Sequence, residues 1–207
     1  MRKNMPTIPT RIKYYIVVEG KTEEQYFTRL NQLDEIKTSP IRFAPVQAGT
    51  SNARSVVRKY NEILRTHKVR KPTPGWNDVK MIVLDQDVFC WGKEKASNFP
   101  KGVLYFSLFN FEDFLVQHLN SSDVIKWNNI CTQQKHFNNP MKEKCYLAHL
   151  KKVIPSYKKG ILPFDLEINH LQQLKDNVNK KCFNPPIHQN DFCKWFIALL
   201  TKYKLLA

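Results

Sequence analysis

The stretch Tyr14-Tyr15-Ile16-Val17-Val18-Glu19-Gly20-Lys21-Thr22-Glu23-Glu24 decides the fold of this chain of 207 residues. It opens with a continuous apolar run rich in β-formers, which indicates a buried strand. From Thr22 to Leu30, apolar residues recur at helical spacing and acidic residues occupy the first turn, which predicts a helix. A strand that leads directly into a helix is typical of an α/β sheet, and it leaves Glu19 at the turn between the two.

The Gly-Lys-Thr within this stretch also occurs at the end of nucleotide-binding phosphate loops. Such a loop needs an earlier glycine, in the G-x-x-x-x-G spacing, so that backbone amides can wrap the phosphates. Here Tyr15 stands at that position, inside the predicted strand, and bulky residues follow it. The carboxylate of Glu19 would also repel a phosphate unless a cation lay between them. We therefore reject the phosphate-loop interpretation.

The rest of the first half of the chain alternates in the same way. Apolar runs predict strands over 41–46, 79–84 and 103–106, and periodic segments predict helices over about 53–70 and 111–119. This alternation indicates an α/β fold with a mostly parallel, Rossmann-like sheet flanked by helices. We expect a basic leader over 1–11, a core over 12–120, and a mostly helical C-terminal extension over 121–207 that packs on the core.

The composition limits the class of partner. Lys and Arg number 33 against 18 Asp and Glu, which gives a formal charge of +15 and points to nucleic acid, with a merely basic surface as the alternative. There is no apolar run of about 18 residues and no signal-peptide pattern, so no membrane association is expected. The five cysteines are odd in number and scattered, which favours a reducing compartment and a cytoplasmic location.

Three carboxylates follow predicted strands and suggest a metal site. Glu19 comes directly after the first strand, and Asp85 and Asp87 come directly after the third. Open α/β sheets bind their ligands at this end of the strands, and hard oxygen ligands select Mg²⁺ or Mn²⁺. The alternative for Asp85 and Asp87 is a helix cap or a turn, which is a common role for such a pair.

These motifs resemble those of the Toprim domain, which topoisomerases, primases and OLD-type nucleases share. Further segments resemble the RloB-like branch, a family of small Toprim proteins associated with phage defence and restriction loci. The similar segments run through most of the chain: Thr22-Glu23-x-x-Tyr26-Phe27, the block from Ser107 to His118, Tyr157-Lys158-Lys159 and Asn184-Pro185. The chain departs from the family pattern at Leu108-Phe109, where the family has Asn-Pro, and has one residue fewer between Glu-Gly and Thr-Glu.

The resemblance implies Mg²⁺- or Mn²⁺-dependent phosphodiester chemistry. Asp85 and Asp87 would hold the metal directly or through water, and Glu19 would be a further ligand or a general acid/base. Glu112 would complete a second metal position, or is an ordinary acid at a helix N-terminus. Lys159 would act as a clamp on the scissile phosphate, or is one more surface lysine. His118 would touch a phosphate or transfer a proton, or is a packed core residue.

The functional hypotheses remain open between two main classes. The first is a Toprim endonuclease that cleaves DNA or RNA in antiviral defence, with transfer RNA suggested by family analogy. The second is a nucleic-acid-binding module whose acidic cluster is structural or inactive. In both cases we expect Lys21, Arg54, Arg58 and Lys158 to contact nucleic acid. An activating protein partner and a homo-oligomer are both compatible with the sequence.

Overall fold

The computed structural model describes residues 11–50, 52–69, 76–87, 95–139, 141–183, 185 and 191–206. The side chains of residues 67–69 and 76 are also outside the description. Most of the predicted basic leader and Asn184 of the Asn-Pro pair therefore lie outside the described residues.

A parallel sheet forms the centre of the molecule. Its strands are β1 (Arg11–Val18), β2 (Ile41–Gln47), β3 (Trp76–Leu84) and β4 (Leu104–Phe106), and they lie in the order β2-β1-β3-β4. Every pairing is parallel, and the register sets Val18 opposite both Gln47 and Val83. Because all strands run the same way, the segments that follow them emerge at one edge of the sheet.

Helices connect these strands and then continue to the C-terminus. Among the described residues of the first half they are α1 (Lys21–Leu30), α2 (Asp34–Thr38), α3 (Ala53–Val69) and α4 (Phe111–Val116). The second half contains α5 (Ser121–Gln133), α6 (Glu143–Leu150), α7 (Ile168–Asn179) and α8 (Phe192–Lys202). A short 3-10 turn spans Ala96–Asn98. Within the described ranges, no helix is long and apolar enough to cross a membrane.

The two faces of the sheet are buried in different hydrophobic clusters. On β1, Tyr14, Ile16 and Val18 point into a large cluster that α1, α4 and the C-terminal helices share. Val17 points the other way, into a smaller cluster beneath α3. This alternation follows from the two-residue period of a strand, and burial of both faces explains the continuous apolar run.

The predicted fold class is confirmed. The sheet is parallel and flanked by helices, and the regular elements described after residue 121 are helices joined by turns, with isolated bridges such as Lys158 with Ile161. Strand β3 begins three residues before the predicted start at 79, and α4 ends three residues before the predicted end at 119. At that end of α4 the chain turns through Gln117 and His118, whose backbone N–H groups bond to Phe114 and Leu115.

Candidate functional site

Glu19 and Asp85 lie side by side at the edge where the parallel strands end. Each directly follows its strand, β1 ending at Val18 and β3 at Leu84. The pairing of Val18 with Val83 brings these two strand ends level. Ser107, which follows β4, donates its hydroxyl to Oδ1 of Asp85 at 2.7 Å. The sheet register therefore fixes the position of both carboxylates.

Backbone hydrogen bonds hold the segment that contains Asp87 against the segment that leads into α4. The N–H of Gln86 donates to the carbonyl of Leu108, and the N–H of Asp87 donates to the carbonyl of Phe109 at 3.0 Å. Leu108 has a φ of 81°, a left-handed conformation that is strained for a non-glycine residue. The tight turn at Leu108 places the start of α4, and with it Glu112, beside the end of β3.

These elements surround one cavity of about 570 Å³. The predicted site residues that line it are Glu19, Lys21, Asp85, Asp87, Glu112 and Lys159. The C-terminal half of the chain supplies much of the remaining wall, from the end of α5, from α6 and from the turn at Tyr157 to Gly160. The structure thus brings together most of the side chains that the sequence assigned to catalysis and metal binding.

Burial and, after it, mutual repulsion raise the pKa values of two acids in the cavity, Asp85 and Glu23. Desolvation, followed by the charges of Glu19, Asp87, Glu23 and Glu112, raises the pKa of Asp85 well above its usual range. Desolvation also raises the pKa of Glu23 to about 7, and the charges of Glu112 and Glu19 add to the effect. Carboxyl groups in such a cluster gain by protonation or by a cation that neutralises them.

Glu23 is a site residue that the sequence analysis missed. An acid in the first turn of α1 predicts only a helix start, yet the side chain of Glu23 is buried and lines the cavity. A Cβ added to Gly20 would lie 3.0 Å from Oε2 of Glu23, so the glycine leaves room for the carboxylate. The available signal was the position of Glu23 in the first turn, where a side chain folds back toward the residue that begins the helix.

Two contacts from the C-terminal half act on the predicted site residues. The hydroxyl of Tyr157 donates to Oε1 of Glu112 at 2.5 Å. The ammonium group of Lys159 lies 2.5 Å from Oε1 of Glu143 at the exposed rim of the cavity, and this contact raises the pKa of Lys159. Neither Tyr157 nor Glu143 was assigned a role from the sequence, because both contacts depend on tertiary placement.

The donor chemistry of the cavity fits a hard divalent cation, although a complete ligand shell is absent. Within the described part of the chain, no three His, Cys, Asp or Glu side chains are grouped closely enough to hold a metal ion. Mg²⁺ is usually bound through one or two carboxylates and keeps several of its water molecules. Asp85, Asp87 and Glu19 are the residues that would hold such an ion, in part through water.

The structure does not bring His118 to this cavity. Its ring is fully buried in the large hydrophobic cluster, where Nε2 lies 2.8 Å from the hydroxyl of Tyr26 and Nδ1 lies 2.9 Å from the carbonyl of Phe114. Desolvation lowers the pKa of His118 to about 3, so the ring is neutral at physiological pH. His118 therefore occupies the position of a packed core residue, the alternative considered in the sequence analysis.

The predicted nucleic-acid contacts divide between two surfaces. Lys21 lines the acidic cavity, whereas Arg54 and Arg58 line a separate groove of about 800 Å³ along α3. Lys158 is exposed and pairs through its backbone with Ile161. The groove begins close to the cavity, because the N–H groups of Ala48 and Gly49 bond to the carbonyls of Val18 and Glu19 just before α3 starts.

Comparison with known proteins adds no relative. No protein-family model, no curated protein and no solved structure matches this chain.

Proposed function

We propose that this protein is a metal-dependent phosphodiesterase of the Toprim type that cleaves nucleic acid at the cavity beside the sheet edge. One observation carries the proposal: carboxylates from three separate connections, Glu19, Asp85 and Glu112, line a single cavity in a protein with a formal charge of +15. Acids concentrated at one point of a basic protein fit a cation site that receives a phosphate.

The bound Mg²⁺ or Mn²⁺ would supply Lewis-acid polarisation of the scissile phosphate and an activated water molecule. Asp85, Asp87 and Glu19 would hold and orient the ion. Ser107 keeps Asp85 in place by donating a hydrogen bond to Oδ1. The antiviral role that the resemblance implies is part of this proposal.

Protons would be handled by the acids that border the ion. Glu23, whose pKa lies at about 7, can hold or release a proton near neutral pH, which suits a general acid/base. The carboxylate of Glu112 accepts a hydrogen bond from the Tyr157 hydroxyl, and both residues line the cavity. This bond fixes the orientation of the Glu112 carboxylate.

Lys159 would bind the phosphate by exchanging partners. Its ammonium group is now paired with Glu143 at a position where both side chains are largely exposed. Exposed ion pairs contribute about 0–1 kcal/mol, so an incoming phosphate can displace Glu143 at little cost. The exchange would place a positive charge where negative charge develops during cleavage.

A binding module without turnover is the second candidate. The observation that favours it is the missing ligand shell, since no three potential metal ligands among the described residues are grouped closely enough to hold an ion. In that case the basic groove along α3 would carry the function and the acids would be structural.

The test compares the wild type with the Asp85→Asn/Asp87→Asn double variant. Both proteins are incubated with total RNA and with plasmid DNA, in Mg²⁺, in Mn²⁺ and in chelator. We expect cleavage by the wild type with metal only, and loss of cleavage in the variant at unchanged nucleic-acid affinity. Absence of cleavage by the wild type under every condition, with equal binding by both proteins, would favour the binding module.

A further inference from the structure

The acidic cavity has a second kind of wall that metal and phosphate chemistry does not use. Met141 and Leu147, both half-buried, line it together with the nearly buried ring of Tyr146. These side chains come from α6 and the segment before it, whereas the acids other than Glu143 come from the sheet edge and the starts of α1 and α4. A ligand that fills the whole cavity would therefore place an apolar group against this wall and its phosphate beside the acids.

Polar groups near this wall have hydrogen-bond donors without a protein partner among the described residues. The side-chain oxygen of Asn110 accepts bonds from the Tyr146 hydroxyl and from the backbone of Asp113, and its amide nitrogen has no partner among the described residues. His136 also lines the cavity, and its Nδ1 accepts the N–H of Met141 at 3.1 Å. The proton of the neutral ring therefore lies on Nε2, which has no partner within the described ranges.

A nucleobase combines the two properties that this part of the cavity requires. Its faces are flat and apolar, so they can pack against Met141 and Leu147. Its edge carries carbonyl and ring-nitrogen acceptors, so it can receive bonds from donors such as the Asn110 amide. A sugar or a phosphate alone would leave the apolar side chains without a partner.

The walls and the size of the cavity disfavour a base that is still paired. The C-terminal half of the chain covers the sheet-edge acids, and the ion pair between Lys159 and Glu143 joins the turn at 159 to α6 at the rim. A volume of about 570 Å³ is that of a pocket for a small ligand. A base stacked inside a duplex cannot enter such a pocket without leaving the stack.

We propose that Met141, Leu147 and Tyr146 form a base pocket beside the acidic cluster, so that the protein acts on unpaired nucleotides of DNA or RNA. This inference rests on the proposed function, because it assigns the substrate of the same cavity. Single strands, loops and ends fit the pocket, and a continuous duplex does not. The basic groove along α3 then receives the flanking backbone, which can be paired or unpaired.

The test measures binding separately from cleavage. Fluorescently labelled oligonucleotides of one sequence are prepared as a single strand, as a hairpin and as a full duplex, each in DNA and RNA form. Affinities are measured by anisotropy in chelator, where no cleavage occurs. We expect the single strand and the hairpin to bind on the order of tenfold more tightly than the duplex, since one base stacks in the pocket.

Matched variants show whether the apolar wall causes this preference. Leu147→Ala should weaken single-strand binding several-fold and leave duplex binding unchanged, whereas Ile125→Ala, which removes an exposed isomeric side chain from α5, should change neither. Met141→Ala serves as a second variant if Leu147→Ala does not fold. A single strand with abasic positions should bind the wild type and Leu147→Ala equally.

The outcomes separate this inference from the proposed function. The base pocket is overturned if the wild type binds duplex and single strand equally. It is also overturned if Leu147→Ala binds as Ile125→Ala does. Either result counts against the pocket even if metal-dependent cleavage is found. A preference for the single strand that Leu147→Ala removes supports the base pocket, and it does so even if no form is cleaved and the phosphodiesterase proposal fails. Comparison of the DNA and RNA series then identifies the sugar that the cavity accepts.

Discussion

The hydroxyl of Tyr157 donates a hydrogen bond to the carboxylate of Glu112, 45 residues earlier in the chain, with the two oxygens 2.5 Å apart. This contact joins the turn after α6 to the start of α4, and both residues line the acidic cavity. It links the C-terminal half directly to a carboxylate of the cavity. The C-terminal half therefore belongs to the site as well as to the hydrophobic core.

Removal of this hydroxyl should affect the site more than the fold. Tyr157→Phe keeps the buried ring and deletes the bond to Glu112, which we expect to cost about 1–2 kcal/mol of unfolding free energy. Cleavage should fall on the order of tenfold, because Glu112 loses the donor that orients it. Tyr60→Phe is the matched control, since Tyr60 is nearly as buried but its hydroxyl has no partner in the described part of the chain. Equal cleavage by the two variants would refute a role for the Tyr157 contact.

The raised pKa of Glu23 predicts a stability that depends on pH in the absence of metal. The native carboxyl, with a pKa of about 7 against the ordinary 4.5, binds its proton more tightly than the unfolded one. The folded protein therefore loses stability as the pH rises from about 4.5, the pKa of the unfolded carboxyl, through about 7, the pKa of the native one. Glu23→Gln removes this loss, so at about pH 8.5 in chelator it should be more stable than wild type by about 1–3 kcal/mol.

Thermal or denaturant unfolding at several pH values checks this prediction. The difference between Glu23→Gln and wild type should become small by about pH 4, where the native carboxyl is protonated and the unfolded one mostly so. Glu24→Gln, one residue further along α1 and outside the lining of the acidic cavity, is the control. A Glu23→Gln protein that is less stable than wild type at high pH would mean that the carboxylate is compensated within the metal-free site.

The arginines of α3 should contribute to nucleic-acid affinity through charge. Arg54, Arg58 and Arg65 line the groove, are exposed, and have no carboxylate partner within the described ranges. Their spacing of four and seven residues keeps them on one side of the helix over about 16 Å. Each substitution by Ala should weaken DNA and RNA binding independently of sequence and reduce the salt slope by about one.

Affinity titrations over a range of salt concentrations test this assignment. Lys180→Ala removes one exposed positive charge beyond the end of α7 and serves as the control. If the arginine variants and the control reduce affinity equally, the loss of affinity is due to the change in net charge alone. The groove is then not the binding surface.

His118 should act in stability and not in catalysis. Its native pKa of about 3 lies below the ordinary 6.5, so the unfolded state binds the proton more readily and stability falls as pH drops from the higher value toward the lower. His118→Leu leaves the hydroxyl of Tyr26 without its partner, at a cost of about 1–3 kcal/mol at neutral pH. The variant should also lose part of the pH dependence below about 6.5.

Cleavage per folded molecule distinguishes this role from a catalytic one. His118→Leu should retain the wild-type rate, as should His149→Leu, a control at the surface where the ring contacts Lys152. A loss of cleavage in His118→Leu with the fold preserved would restore the catalytic hypothesis for this residue.

Local sequence patterns predicted the sheet and the acids at its edge, and they did so for physical reasons. Buried parallel strands need continuous apolar runs, and the residues after them must emerge at one edge, which places Glu19 beside Asp85. The turn at Leu108 was not predictable, because a leucine with positive φ runs against local preference. The contacts of Tyr157 and Glu143 were not predictable either, since they arise only when the C-terminal helices pack on the core.

The central claim is that the carboxylates of the cavity hold a divalent cation. Isothermal titration calorimetry tests it directly, with Mn²⁺ titrated into the protein in the absence of nucleic acid. The account predicts saturable binding by the wild type that strengthens as pH rises, because Asp85 must release its proton to accept the ion. It predicts that Asp85→Asn/Asp87→Asn loses this binding while remaining folded. Equal binding by the variant, or no binding by the wild type, would contradict the account.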